Sequence, residues 1–295
     1  MSRIHDALKR AEQERATSLG GHVDTVLDQP AAPPVSMPTL TQTAAAVMPA
    51  MASGFSYETL LAHCPQTQWS PDSRTMLFFG EDENRMGTEE FRTLRSRLYQ
   101  IREKLPLKKL IVTSALPKEG KSFVGTNLAQ VMVRQHGRRA LMIDADLRNP
   151  GMHRHLGAPQ TPGLAEYLMG EADEISVLQR GPMENLFFLP AGRVVSGAPE
   201  LLANGRLKLL LQRVEPLFDW IILDSPPVIP VADSTLLANF CDGILMVVRS
   251  NVTPADLARK AREEFQDKLL LGVVLNGATG GKQSKYYYGE AVEKA

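Results

Sequence analysis

Two cysteines, Cys64 and Cys241, are all that the 295 residues contain. They lie far apart and outside any paired spacing, which excludes a disulfide framework or a cysteine-rich metal site and makes a reducing, cytoplasmic setting the expectation. Charge of one sign is also lacking, because 33 Lys and Arg balance 33 Asp and Glu. Without net charge there is no global pull toward nucleic acid or anionic lipid, so no nucleic-acid partner is expected. Long apolar runs are missing too: stretches such as 243–248 fall well short of the roughly 20 residues that cross a bilayer. The first residues alternate in charge without the apolar core of a secretion signal. What is there, 43% hydrophobic and 22% charged residues, is the composition of a globular protein and excludes collagen-like, coiled-coil and wholly disordered chains.

Four segments follow from the order of residues. Over 1–16, Ile4, Ala7, Leu8 and Ala11 recur at helical spacing among charged residues and predict a short amphipathic helix, read either as a frayed terminus or as a docking helix. From 17 to 75 the chain reads as a Pro- and Ala-rich linker, with Pro30, Pro33, Pro34, Pro38 and Pro49 scattered without periodicity. From 76 to 280, short apolar runs at 110–113, 140–143, 186–189, 220–223, 244–248 and 271–275 alternate with helical stretches, one of them over 121–135. Runs that are apolar on both faces predict strands buried between two helical layers, hence an α/β domain with a mostly parallel sheet. Residues 281–295 form a polar tail holding Tyr286, Tyr287 and Tyr288, half of the chain's six tyrosines.

Three motifs carry chemistry. The stretch Ala115, Leu116, Pro117, Lys118, Glu119, Gly120, Lys121, Ser122, followed by Phe123, has P-loop spacing with Ala115 in place of the usual first glycine, and it lies between a predicted strand and a predicted helix. Loop amides and the helix N-terminus favour phosphates, the Lys121 ammonium reaches the β and γ phosphates, and the Ser122 hydroxyl suits Mg2+. Asp144, Asp146 and Arg148 follow the second apolar run, where open α/β sheets place their ligands. One aspartate is expected to activate a nucleophilic hydroxyl and the other to hold Mg2+, with Arg148 neutralising phosphate or orienting the acids; which aspartate is the base stays open. Asp224, at the end of the 220–223 run, is the expected second Mg2+ carboxylate. His153 and His155 lack a third ligand and are read as packing or surface residues.

With these motifs in order, the segment from about 89 onward resembles the bacterial P-loop protein-tyrosine kinases attached to capsule and exopolysaccharide synthesis. The related division-site and partition ATPases carry a signature lysine at the second loop position, where this chain has Leu116. The resemblance implies a partition-type P-loop fold, ATP and Mg2+ as cofactors, autophosphorylation of Tyr286, Tyr287 and Tyr288 in trans, and a contact of Asn276 with the base. It also implies that Glu89, Arg92 and Arg95 mediate a ring-shaped homo-oligomer; read without the family, those three are an ordinary solvated helix face. Further implied partners are a separate membrane-bound chain-length or activator protein and other tyrosine-containing proteins of polysaccharide synthesis, with the chain held peripherally at the inner membrane. Residues 2–11 resemble the N-terminus of the exosortase-associated subgroup. The rival expectation is a positioning or scaffold ATPase that forms no phosphotyrosine.

Overall fold

The computed structural model describes residues 55–79, 86–265 and 267–278. The expected helix of 1–16, the linker up to 54 and the three tail tyrosines lie outside the described residues. Seven strands, β1 Lys109–Ser114, β2 Ala140–Asp144, β3 Gln179–Arg180, β4 Leu186–Leu189, β5 Trp220–Asp224, β6 Gly243–Arg249 and β7 Leu270–Asn276, form one sheet in the order β3-β4-β2-β5-β1-β6-β7. Only the β3–β4 pair is antiparallel. The helices are α1 Tyr57–His63, α2 Thr88–Arg102, α3 Lys121–Val133, α4 Met152–Leu156, α5 Leu164–Met169, α6 Ala198–Ala203, α7 Arg206–Val214, α8 Asp233–Ala238 and α9 Ala255–Glu263. The six apolar runs all became strands; β3, two polar residues long, has no such run and was not foreseen.

Period-two alternation sorts the strand side chains into two cores. Ile111, Leu141, Ile143, Phe187, Leu189, Ile221 and Leu223 fill one face of the sheet. Leu110, Val112, Met142, Phe188, Trp220 and Ile222 fill the other. Helix α3 is buried from Val124 to Met132, which is why its sequence shows no polar face. The expectation of burial on both faces fails at β7, where Val273 and Leu275 are more than half exposed, because an edge strand has a neighbour on one side only.

The linker expectation also needs correction, since residues 55–75 belong to the domain. Ser56 caps α1 by accepting the Thr59 amide at 3.1 Å. Leu60 is fully buried, Tyr57 sets its ring edge-on to Phe187 and its hydroxyl donates to Asn185, and Arg139 stacks 4.3 Å from the Tyr57 ring centre. Farther along, the Thr67 amide donates to the Arg180 carbonyl and Trp69 packs edge-on to Phe188. Buried Asn127 and Gln130 of α3 accept the Leu77 and Phe78 amides, so this strap is fastened to the helix that carries Lys121. Its apolar residues are too few and too irregularly spaced to be read as an element before their partners are known.

Truncating Leu60 to Ala should cost about 2–5 kcal/mol, as for other fully buried leucines. Urea unfolding of the two proteins checks this, and a loss under about 1 kcal/mol would place the strap outside the cooperative unit.

Candidate active site

The strand order puts β1 between β5 and β6, and the turn after β1 therefore opens beside the carboxyl end of β5. In that turn Lys118 has φ +66° and Gly120 has φ +95°, left-handed conformations that bend the backbone into a concave, amide-lined loop. At that φ any side chain is strained, and a Cβ at Gly120 would lie 2.1 Å from Asn276 Nδ2 and force that side chain off the loop. The loop is held from inside by Glu119, which is 2% exposed: Oε2 accepts the Leu116 amide at 2.7 Å and Oε1 accepts the Thr253 hydroxyl. Arg249 donates to the Lys118 carbonyl and Asn276 to the Glu119 carbonyl, at 3.1 and 2.9 Å. Asn276, expected at the base, thus has its Nδ2 committed to the loop, and Glu119, expected among the nucleotide contacts, is instead the loop's internal brace. Neither role has a sequence signal, because both depend on β6 and β7 arriving beside the loop.

Helix α3 begins at Lys121. Its ammonium sits 3.0 Å from Asp146 Oδ2, 3.6 Å from Asp224 Oδ2 and 3.4 Å from the Ser122 hydroxyl, which in turn donates to Asp224. Asp144 and Asp224 are register partners on β2 and β5, so two carboxylates are forced side by side at adjacent strand ends. Asp144 is fully buried and its Oδ2 accepts the Gly151 and Met152 amides, both at 3.0 Å, while Oδ1 accepts the Asp146 amide at 3.3 Å. Burial and the nearby Asp224 carboxylate outweigh Lys121 and the Met152 amide, and they push Asp144 up to about 7. Burial likewise raises Asp224 against the opposing pull of Lys121 and Ser122. For Lys121, burial disfavours the charge, and Asp224 and Asp146 overcome it and hold the group above the ordinary lysine range.

Three carboxylates therefore face one ammonium, a surplus of negative charge that a divalent cation would offset. Asp224 Oδ1 is buried without a hydrogen-bond partner, the kind of orphan oxygen a cation satisfies. Among the described residues no three His, Cys, Asp or Glu side chains form a metal cage of their own. That pattern fits Mg2+, which binds one or two carboxylates and completes its shell with water and phosphate oxygens.

A cleft of about 490 Å³ lies over these groups, lined by Pro117, Lys118, Gly120, Lys121, Ser122 and Phe123 together with Asp146, Arg148, Arg154 and Pro227. Asp144 does not line it. A larger hollow of about 700 Å³, between Met76, Phe78, His136 and Met183, holds none of the expected site residues and sits toward the amino ends of β2 and β4. Ala115 is fully buried beneath the loop rather than facing the cleft. Arg148 does not orient Asp144 or Asp146, as one expectation had it; it forms an ion pair with Asp233. On α2, Glu89 and Arg92 pair on the surface, whereas Arg95 donates 3.0 Å to the Val131 carbonyl of its own chain. His155 lines the cleft, and burial lowers it.

A family described as an AAA domain matches residues 118–255. The tyrosine-protein kinase YwqD of Bacillus subtilis is 34% identical over 207 residues, 69% of this chain and 87% of that protein. The succinoglycan biosynthesis transport protein ExoP of Rhizobium meliloti is 34% identical over 190 residues, 63% of this chain but only 24% of its own length. Among solved structures, the kinase domain of the Escherichia coli tyrosine kinase ETK is similar at 25% identity, with a TM-score of 0.65 over 80% of this chain and 99% of that one. Among the described residues, no helix is long and apolar enough to cross a membrane.

A carboxyl that holds its proton more tightly when folded than when unfolded favours the fold at low pH, and that advantage is lost as pH rises through its folded value. With Asp144 near 7, the thermal midpoint without cation or nucleotide should fall between pH 5 and pH 8. Asp144→Asn should flatten that fall in a thermal-shift series, and an equally steep profile in the variant would remove Asp144 as its source.

Proposed function

The chain belongs to the family of bacterial tyrosine-protein kinases, and we propose that it uses Mg-ATP to phosphorylate Tyr286, Tyr287 and Tyr288 of a neighbouring copy. The observation that carries this reading is the convergence of Lys121, Ser122, Asp146 and Asp224 under one cleft. Lys121 and the amides of 118–122 bind the β and γ phosphates, and Lys121 must leave Asp146 to do so. Ser122, Asp146 and Asp224 hold Mg2+, which supplies charge neutralisation at the transferring phosphoryl group. In the transfer, the tyrosine oxygen bonds to the γ phosphorus, the bond from that phosphorus to the β–γ bridging oxygen breaks, and ADP leaves. Asp146 takes the tyrosine proton. It is preferred to Asp144 because it lines the cleft, which Asp144 does not, and because its Oδ2 is released when Lys121 moves to the phosphates, while Oδ1 keeps the Asn149 amide.

Copies of the chain form a ring through the exposed face of α2, with Glu89 and Arg92 at the contact and Arg95 supporting the helix from within. The polysaccharide setting is supported by the name of ExoP, within which a stretch similar to this chain occupies 24% of the length. By that reading the kinase works at the cytoplasmic face of the inner membrane with a membrane-bound chain-length or activator protein, and further tyrosine-bearing proteins of polysaccharide synthesis are substrates. Residues 1–16 and 17–54 serve as docking helix and linker, 55–280 as the kinase domain and 281–295 as the acceptor tail.

Lys121→Met should lower autophosphorylation by orders of magnitude, since removing one charged contact to a transition state costs several kcal/mol. Labelled ATP and phosphoamino-acid analysis check this; ATP hydrolysis by the unaltered chain without phosphotyrosine would instead favour a positioning ATPase. Changing Tyr286, Tyr287 and Tyr288 together to Phe should abolish most labelling. Wild-type stoichiometry persisting on Tyr57, Tyr99 or Tyr167, measured by mass spectrometry, would exclude the tail as main substrate.

A further inference from the structure

Arg148 enters the cleft on the loop that follows β2, yet its partner comes from a different part of the chain. Its Nε donates 2.7 Å to Asp233 Oδ2 and its Nη2 donates 3.2 Å to Asp233 Oδ1. A guanidinium is a flat group with five N–H donors in fixed directions, and a carboxylate gripping the Nε and Nη2 edge sets the plane of the whole group. The opposite edge, Nη1 with the second Nη2 hydrogen, makes no hydrogen bond within the described residues. Asp233 is 1% exposed while Arg148 is 42% exposed, so a buried anchor holds an accessible cation.

The anchor itself is firmly seated. Asp233 opens α8, and the next residue, Ser234, donates to the Pro226 carbonyl and lies 3.1 Å from the Ser225 hydroxyl. Thr113 at the end of β1 donates to the same Pro226 carbonyl at 3.1 Å, and Ser225 donates to the Val112 carbonyl at 3.2 Å. All these groups are buried and adjoin Asp224. The position of Asp233 is therefore tied to the strand ends that also fix Ser122 and Lys121.

We infer that Asp233 is the positioning residue of Arg148, and that it turns the unspent edge of that guanidinium to form a fork for the terminal phosphate of the bound nucleotide. Arg148 shares the cleft with Lys121, Ser122 and Asp146, the groups assigned to the transferring end, and it borders the opening. An ion pair serving stability alone would gain nothing from leaving one edge of the arginine open to the cleft. The identity of the anion rests on the kinase reading; the pairing does not.

The test is calorimetric titration of the full chain with ADP and with a non-hydrolysable ATP analogue, each with Mg2+. Asp233→Asn should weaken the ATP analogue on the order of tenfold, the size expected for losing hydrogen bonds to a charged group, and leave ADP within about twofold. Arg148→Lys keeps the charge but loses the fork, and it should give the same selective loss. The double variant should be no weaker than the weaker single one. Equal losses for both nucleotides, additive losses in the double variant, or no loss would each overturn the inference. Should Asp233→Asn fail to fold, Asp233→Glu carries the test: a loss confined to the ATP analogue supports the inference, and an equal or absent loss overturns it. No tyrosine takes part in these titrations. A chain that discriminates ATP from ADP through Asp233 yet forms no phosphotyrosine would sink the kinase reading alone, and phosphotyrosine formation with non-selective variants would sink this inference alone.

Discussion

Two aspartates stand in register at the ends of β2 and β5, fully buried, with one lysine reaching both the second of them and its neighbour Asp146. Like charges at adjacent strand positions repel each other, and burial removes the water that would screen them. Much of the surrounding structure answers that repulsion. The amides of Gly151 and Met152 are turned onto Asp144, Ser122 is turned onto Asp224, and α3 starts where its first side chain can supply an ammonium. The strained loop follows from the same demand, since Lys121 reaches Asp224 only if the chain leaves β1 through a tight turn with left-handed residues at Lys118 and Gly120.

That answer is incomplete, and the incompleteness is functional. Asp144 is pushed to about 7 and Asp224 upward, first by burial and then by neighbouring carboxylates that one ammonium does not fully offset. A site perfectly balanced without ligand would have to break strong ion pairs to admit Mg-ATP. Here a divalent cation would relieve a surplus, and Lys121 would then be free to meet phosphate. Stability given up by crowding the carboxylates would thus return as affinity for a cation-bearing ligand.

Much of this was legible beforehand for physical reasons that differ by element. Buried parallel strands must be apolar on both faces, so the six runs announced themselves, and a P-loop must combine a tight turn with Lys and Ser at fixed spacing. Strand β3 and α1 gave no such signal because neither buries a regular face: β3 is two polar residues on an edge, and α1 is held by a capping serine, by Leu60 and by Tyr57, whose partners Asn185 and Phe187 lie more than a hundred residues away. The site divided in the same way. Lys121, Ser122, Asp146 and Asp224 meet because strand ends meet, which spacing reveals. The partners of Arg148, Glu119 and Asn276 come from loops whose convergence only the sheet order determines. Asp144 and Asp146 look equivalent in sequence and separate only in three dimensions, where one ends a strand against backbone amides and the other borders the cleft.

Electrostatics at longer range complete the argument. The chain as a whole is neutral and gives a polyanion no distant attraction. At the cleft, three carboxylates would repel a bare triphosphate, and the opposing positive groups are Lys121, Arg148, Arg154 and Lys118 with the loop amides. Lys121 is already engaged, Arg148 is fixed by Asp233, and a triphosphate without its cation would meet more negative charge than these can offset. The arrangement would therefore favour a metal complex over the free nucleotide. Removing either buried carboxylate relieves repulsion, but the groups left behind differ: without Asp144 the amides of Asp146, Gly151 and Met152 lose their acceptor, whereas without Asp224 Ser122 is freed and Lys121 loses a partner.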